Sequence, residues 1–240
     1  MGRPFLSAEW RSLVMLNYEV DPAVLRPLVP RGVELDEWDG RTLVSVVGFL
    51  FLNTRLLDIP VPFHRDFEEV NLRFYVRRRC GDGWRRGVTF VRELVPRAAI
   101  AMTARLFYNE PYLAVPMRHE VGGGINEYSW QHQGRWAVLR AETRGEPALI
   151  ENGSEEEFIF EHYWGYTAQR DGSTVEYQVE HPRWRVSPVV ASSLECDAAA
   201  IFGADFAPAL AGQPHSAFVA EGSPVVVGMP VRLTGEALAD

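Results

Sequence analysis

The chain has no lysine: all 24 basic residues among its 240 are arginine. That absence excludes a Schiff base on a lysine amine and a lysine general base, since a guanidinium stays protonated. Cysteine is scarce too. Cys80 and Cys196 lie far apart and show no zinc-type spacing, so neither a disulfide framework nor a cysteine-ligated metal is indicated. No run of 18 apolar residues occurs, and the first 20 residues lack the basic-then-apolar layout of a signal peptide. The expectation is a soluble, cytoplasmic protein with no membrane partner. A formal charge of −8 argues against nucleic acid as a partner.

Catalytic signatures are also missing. The histidines at 64, 119, 132, 162, 181 and 215 form no HxH or HExxH pair and have no cysteine at ligand spacing, so no metal is expected. No GxSxG, GxGxxG or P-loop sequence is present, which weakens hydrolase, dinucleotide and NTPase readings; no cofactor is expected.

What is present is an apolar, strand-rich chain, 47% hydrophobic, enough for a substantial core. Its organising stretch is Glu68 to Arg79. Val70, Leu72, Phe74 and Val76 alternate with Glu69, Asn71, Arg73, Tyr75 and Arg77, the pattern of a β-strand with two unlike faces. Cys80-Gly81-Asp82-Gly83 reads as a hairpin turn into a partner strand, Trp84 to Val95.

Upstream, Ser12–Val20 is strand-like, and Asp21-Pro22 caps and opens a short helix. Thr42–Leu52 is apolar on both faces, as in a strand buried on both sides; Gly48 within it marks a bend, a bulge or a close approach. Arg55–Phe67 reads as a loop, a lid or rim. Downstream, Pro96–Asn109 is helical, and Tyr112–Glu120 is a strand that Pro116 confines to an edge or bulge. Tyr128–Glu142 is a hairpin turning at Gln133-Gly134. Ser154 and Glu157 form a capping box for a helix running to about Tyr163, on which Glu161 and His162 read as surface or packing residues. A further hairpin turns at Asp171-Gly172, strands are expected at Val186–Val190 and Val225–Leu233, and a short helix from Ser192. No repeat and no domain boundary is evident, so residues 1–240 are expected to form one domain. Short strands, Gly turns and few helices indicate a largely antiparallel barrel or sandwich.

Asn71, Arg73 and Tyr75 project from one face. Inside a barrel they would bind a carboxylate or carbonyl, Arg73 through its planar donor fork; on an open sheet they would be a solvated face. Glu69 and Glu93 are the candidate catalytic acid or base, or else members of cross-strand ion pairs. Arg118 is a further candidate ligand-binding residue, and it or His119 could instead form a surface pair.

Several stretches together resemble one family. LNYEVDPAVLRPLVPRGVELDEWDGRTLVSVVGFLF, EVNLRFYVRR, GVTFVRELV, RAAIAMTARLFYNEPY with VPMR, and EEEFIFEHYWGYT with EHPRW look like the uncharacterised domain of unknown function 2071. The likeness spans about residues 10–190, leaving 191–240 as a C-terminal extension. That family is similar in fold to acetoacetate decarboxylase, so the resemblance implies an α+β, mainly antiparallel β-barrel with a few short helices around a closed pocket, and an Arg73 facing its lumen. It also implies a departure. Acetoacetate decarboxylase works through a lysine Schiff base, and no catalytic residue of that kind carries over to this chain.

Three readings stay open on this basis: a barrel binding a small carboxylate or carbonyl compound, a lysine-independent lyase or hydrolase, and a structural or oligomerising protein with a filled interior. A homodimer is the base expectation for assembly.

Overall fold

A strand with four apolar residues on one face must cover that face. The chain does so with a second sheet outside a barrel. The computed structural model describes residues 4–60, 65–81, 83–97, 109 and 111–233. Its main elements in chain order are β1 (Leu6–Glu19), α1 (Pro22–Leu25), β2 (Leu43–Leu56), β3 (Phe67–Cys80), β4 (Gly83–Val95), β5 (Met117–Gly122), β6 (Ile125–His132) and β7 (Arg135–Thr143). They continue with α2 (Glu155–Phe160), β8 (Trp164–Ala168), β9 (Thr174–Glu180), β10 (Val189–Glu195), α3 (Ala198–Phe202), α4 (Ala207–Leu210) and β11 (Ser216–Val227).

Seven strands close a ring in the order β11, β1, β2, β3, β4, β8, β9 and back to β11. All neighbours are antiparallel except β4 and β8, which run parallel through Trp164 and Gly165. The four-stranded sheet β10–β7–β6–β5 packs outside it. The outward face of β3, Val70, Leu72, Phe74 and Val76, is fully buried in a core it shares with Tyr128, Trp130 and Leu139 of the outer sheet and with Ile201 and Phe202 of α3. At about 25 cal/mol per Å² of apolar surface, hiding four such side chains favours this face outward under the second sheet. The polar face therefore turns into the barrel.

Most expected elements are found. Asp21 caps α1, its Oδ1 accepting from the Ala23 N–H at 2.8 Å. Gly48 is a close approach: a Cβ there would sit 2.6 Å from the Tyr128 ring of the outer sheet. Pro116 interrupts the expected 112–120 strand, leaving Tyr112–Ala114 to pair with β4 and β5 to join the outer sheet. Several boundaries differ: β1 begins at Leu6 rather than Ser12, and β2 runs to Leu56 rather than Leu52. The helix capped by Ser154 ends at Phe160, with Glu161 as its C-cap, rather than at Tyr163. The strand after Pro188 continues to Glu195 because it pairs with β7, so the helix expected from Ser192 begins only at Ala198. The tail supplies β11, which closes the ring, and a separate strand, Val231–Leu233. The expected 55–67 loop opens instead as a tight hairpin, Arg55 and Leu56 at the end of β2 pairing with Pro60 and Ile59; residues 61–64 lie outside the described residues, as does most of the expected 96–109 helix.

Candidate functional site

Inward positions along β3 are Phe67, Glu69, Asn71, Arg73 and Tyr75, each two residues from the next. The first four border a cavity of about 230 Å³ inside the barrel. Its walls are mainly aromatic and aliphatic, including Trp10, Phe49, Phe51, Phe90 and Trp184, and Phe160 at the end of α2 and His162 just after it also line it. An edge-to-face cluster holds several of these rings: Trp10 lies 5.2 Å from Phe49 and 6.4 Å from Trp184.

Arg73 follows on the same face of β3, half-buried where Glu69 is buried. One Nη donates to the Ile159 carbonyl at 3.2 Å and contacts the Met15 sulfur at 3.7 Å, and the guanidinium lies 5.6 Å from the centre of the Tyr75 ring. None of these partners is negative. Its Nε–H is buried and meets no protein acceptor among the described residues. An unpaired cation in a largely apolar space is costly to the fold unless something neutralises it.

Glu69 and Glu93 share the cavity, 3% and 1% exposed. Glu69 accepts from the Asn71 amide at 3.0 Å and from the Tyr112 hydroxyl at 3.2 Å. Glu93 stands opposite Asn71 across the β3–β4 ladder. Three further lining residues, Trp10, Thr54 and Asn71, present Nε1, Oγ1 and Oδ1 respectively, buried and without a protein partner among the described residues. With Arg73 Nε these atoms supply both donors and acceptors inside a mostly apolar shell, the composition of a small-molecule site.

Two candidates fall elsewhere. Tyr75 is 1% exposed and lies beyond the cavity, its hydroxyl bonded to Ser45 Oγ, which donates to Asn17 Oδ1. That buried chain continues through Ser216 to Glu155, so Tyr75 ties the end of the barrel together and does not line the cavity. Arg118 is exposed on the outer sheet, 4.2 Å from the centre of the Trp136 ring, and does not join the cavity. Alternation placed Arg118 on one of two faces but could not say that its sheet lies outside the barrel.

One residue of the site was read from sequence as a surface or packing position. Because α2 stops at Phe160, His162 turns inward, and its side chain is 1% exposed. Nε2 lies 3.2 Å from Asp36 Oδ2, which also accepts from Arg86 Nε at 2.6 Å. Burial by itself would push Asp36 up; the hydrogen bonds from His162 and Arg86 outweigh it and hold the carboxyl at about 2. Burial pushes the His162 imidazole down to about 4, with Arg86 and Arg73 acting in the same direction against Asp36. At neutral pH, then, a neutral imidazole faces an ionised carboxylate. Nε2 must carry the proton, which leaves a lone pair on Nδ1. Nδ1 is buried and has no protein partner among the described residues. The only sequence signal for this was a histidine just past a short capped helix. Its partner lies 126 residues away.

Among the described residues no three His, Cys, Asp or Glu side chains gather as a metal site. The arrangement is one of hydrogen bonding and charge.

Residues 7–224 match the DUF2071 family, described as "Uncharacterized conserved protein (COG2071)". The chain belongs to that family. A relative, the uncharacterized protein YqjF of Bacillus subtilis (strain 168), is 30% identical over 177 residues, 72% of each chain. Among solved structures, acetoacetate decarboxylase from Legionella pneumophila superposes with a TM-score of 0.69 at 13% identity, covering 96% of this chain and 87% of that one. The enduracididine biosynthesis enzyme MppR, complexed with pyruvate, gives 0.67 at 14% identity, covering 98% and 92%. At such identities the likeness shows the acetoacetate decarboxylase-like fold alone. This DUF2071 chain has that barrel and no lysine. Also, no helix among its described residues is long and apolar enough to cross a membrane.

Proposed function

We propose that this DUF2071 protein binds a small, largely apolar organic carboxylate inside its barrel, with Arg73 holding the carboxylate. The observation that carries the reading is the Arg73 guanidinium: it borders the cavity, has no negative partner among the described residues, and keeps a buried Nε–H without an acceptor. A carboxylate on Arg73 supplies the negative partner and the lone pair that its guanidinium does not receive from the described residues, and charge-assisted bonds of this kind are short and strong. The apolar walls take the rest of the ligand. A space of about 230 Å³ exceeds the roughly 150 Å³ cavity known to hold benzene, so a phenyl ring with a short acid chain fits. Pyruvate in the similarly folded MppR is consistent with a carboxylate, though this chain must hold one without a lysine. The same cavity weighs against an interior filled by the protein's own side chains.

The test is a ligand-observed NMR screen of small carboxylates and matched neutral amides against wild type and Arg73→Ala. Carboxylates binding wild type alone support the reading. Hits that survive in Arg73→Ala, or amides binding as well as acids, overturn it.

Glu69 and Glu93 in the same cavity favour one second reading, acid–base chemistry on the bound acid. Turnover of a bound acid that is abolished by Glu69→Gln or Glu93→Gln, with binding retained, would establish it.

A further inference from the structure

The cavity holds a proton acceptor as well as an anion site. We propose that His162 selects 2-hydroxy acids over the matching 2-oxo acids by accepting the ligand's hydroxyl proton at Nδ1. This rests on the carboxylate reading above and adds the group that stands next to the carboxylate.

The tautomer of His162 is set by its partner. Asp36 Oδ2 is fixed by Arg86 Nε at 2.6 Å and lies 3.2 Å from His162 Nε2. Moving the imidazole proton to Nδ1 would set an Nε2 lone pair against an ionised oxygen, so the Asp36–Arg86 pair locks Nδ1 as an acceptor. Ring packing holds the imidazole in place. His162 lies 4.8 Å from the Tyr75 ring and 5.0 Å edge-on to Phe158. It borders the cavity with Nδ1 buried and unpartnered among the described residues.

Arg73 lies against the same Tyr75 ring. Arg73 and His162 also border one cavity, so a carboxylate on Arg73 places its neighbouring atoms in the space that His162 lines. A hydroxyl there donates and satisfies the acceptor. A ketone oxygen presents a second lone pair, leaves Nδ1 unsatisfied, and is repelled. Sites built to bond a hydroxyl reject analogues lacking one far more strongly than apolar contacts discriminate by size. The carboxyl groups of Glu69 and Glu93 lie in the same cavity, so the experiment must separate His162 from them.

Isothermal titration with three probes of one shape does so: mandelate (each enantiomer), benzoylformate and phenylacetate. Wild type is expected to bind one mandelate enantiomer at least about tenfold more tightly than benzoylformate. In His162→Phe that ratio should fall to about one, with phenylacetate affinity, which needs no hydroxyl contact, within about threefold of wild type. Should Phe not be accommodated, His162→Leu asks the same with a smaller side chain. Wild type binding benzoylformate as tightly as mandelate overturns the inference and leaves the Arg73 reading standing. So does a preference that persists without His162. If none of the three acids binds wild type, both proposals fall together.

Discussion

Replacing Arg73 with methionine separates what the residue does for the fold from what it does for a ligand. Met keeps an unbranched apolar stem and removes the charge. The fold loses the 3.2 Å bond to the Ile159 carbonyl, worth about 1 kcal/mol. It also no longer buries a cation that has no negative partner among the described residues, a relief of comparable size. Chemical denaturation should therefore give Arg73→Met a stability within about 1 kcal/mol of wild type. Binding should behave differently. A hydrogen bond to a charged group contributes about 1.5–3 kcal/mol, so a carboxylate such as phenylacetate should lose roughly ten- to a hundredfold in affinity by calorimetry. Weaker binding at constant stability is the signature of a residue kept for its ligand. Unchanged affinity, or stability reduced by more than about 3 kcal/mol, would show that Arg73 serves the fold and refute the reasoning.

Other positions make sharp tests. Tyr75→Phe breaks the bond to Ser45 in a buried chain and should lower stability by about 1–2 kcal/mol while leaving carboxylate affinity unchanged; an affinity loss would return Tyr75 to the site. Gly48→Ala places a Cβ 2.6 Å from a Tyr128 ring that is itself anchored by its hydroxyl on the Ser12 carbonyl, so a loss of about 1–3 kcal/mol in thermal denaturation is expected, and an unaltered melting curve would contradict the packing. The pH dependence follows from His162, whose folded value of about 4 lies below the ordinary 6.5. The unfolded chain binds more protons between those values, so the contribution is complete above about pH 6.5 and is lost as pH falls towards 4, by at most about 3 kcal/mol. His181, also held down by burial, adds in the same direction. Urea denaturation at pH 7 and pH 4.5 reads the difference, which should shrink in His162→Phe; equal or greater stability at the acid pH would refute it.

The alternation of β3 was plain in the sequence, and so were its hairpin with β4 and the turns at Gln133-Gly134 and Asp171-Gly172. Which face of β3 looks inward was not, because the side chains that cover Val70 to Val76 are Tyr128, Trp130 and Leu139, well downstream in the chain. A local pattern records two faces; only the position of the second sheet assigns them. The family resemblance supplied the barrel, and with it Arg73 in the lumen. The same gap explains Arg118, which alternates properly on a sheet outside the ring. Glu69 and Glu93 share a face because Asn71 pairs with Glu93, while an irregularity at Leu72/Arg73 shifts the rest of the ladder, a register that sequence does not carry. His162 escaped for a different reason. Its capping box told where α2 starts but not that the helix would stop at Phe160, and its meaning depends on Asp36 and Arg86, brought to it from the other half of the chain.

The central claim is that an acid bound inside the barrel answers the charge of Arg73. A crystal structure of the protein grown with saturating mandelate measures this directly. The account predicts the ligand carboxylate about 2.8 Å from Arg73 Nε, within the ring of seven strands and with its phenyl group among the aromatic walls. Mandelate bound only outside the barrel, or inside it with its carboxylate turned away from Arg73, would contradict the account.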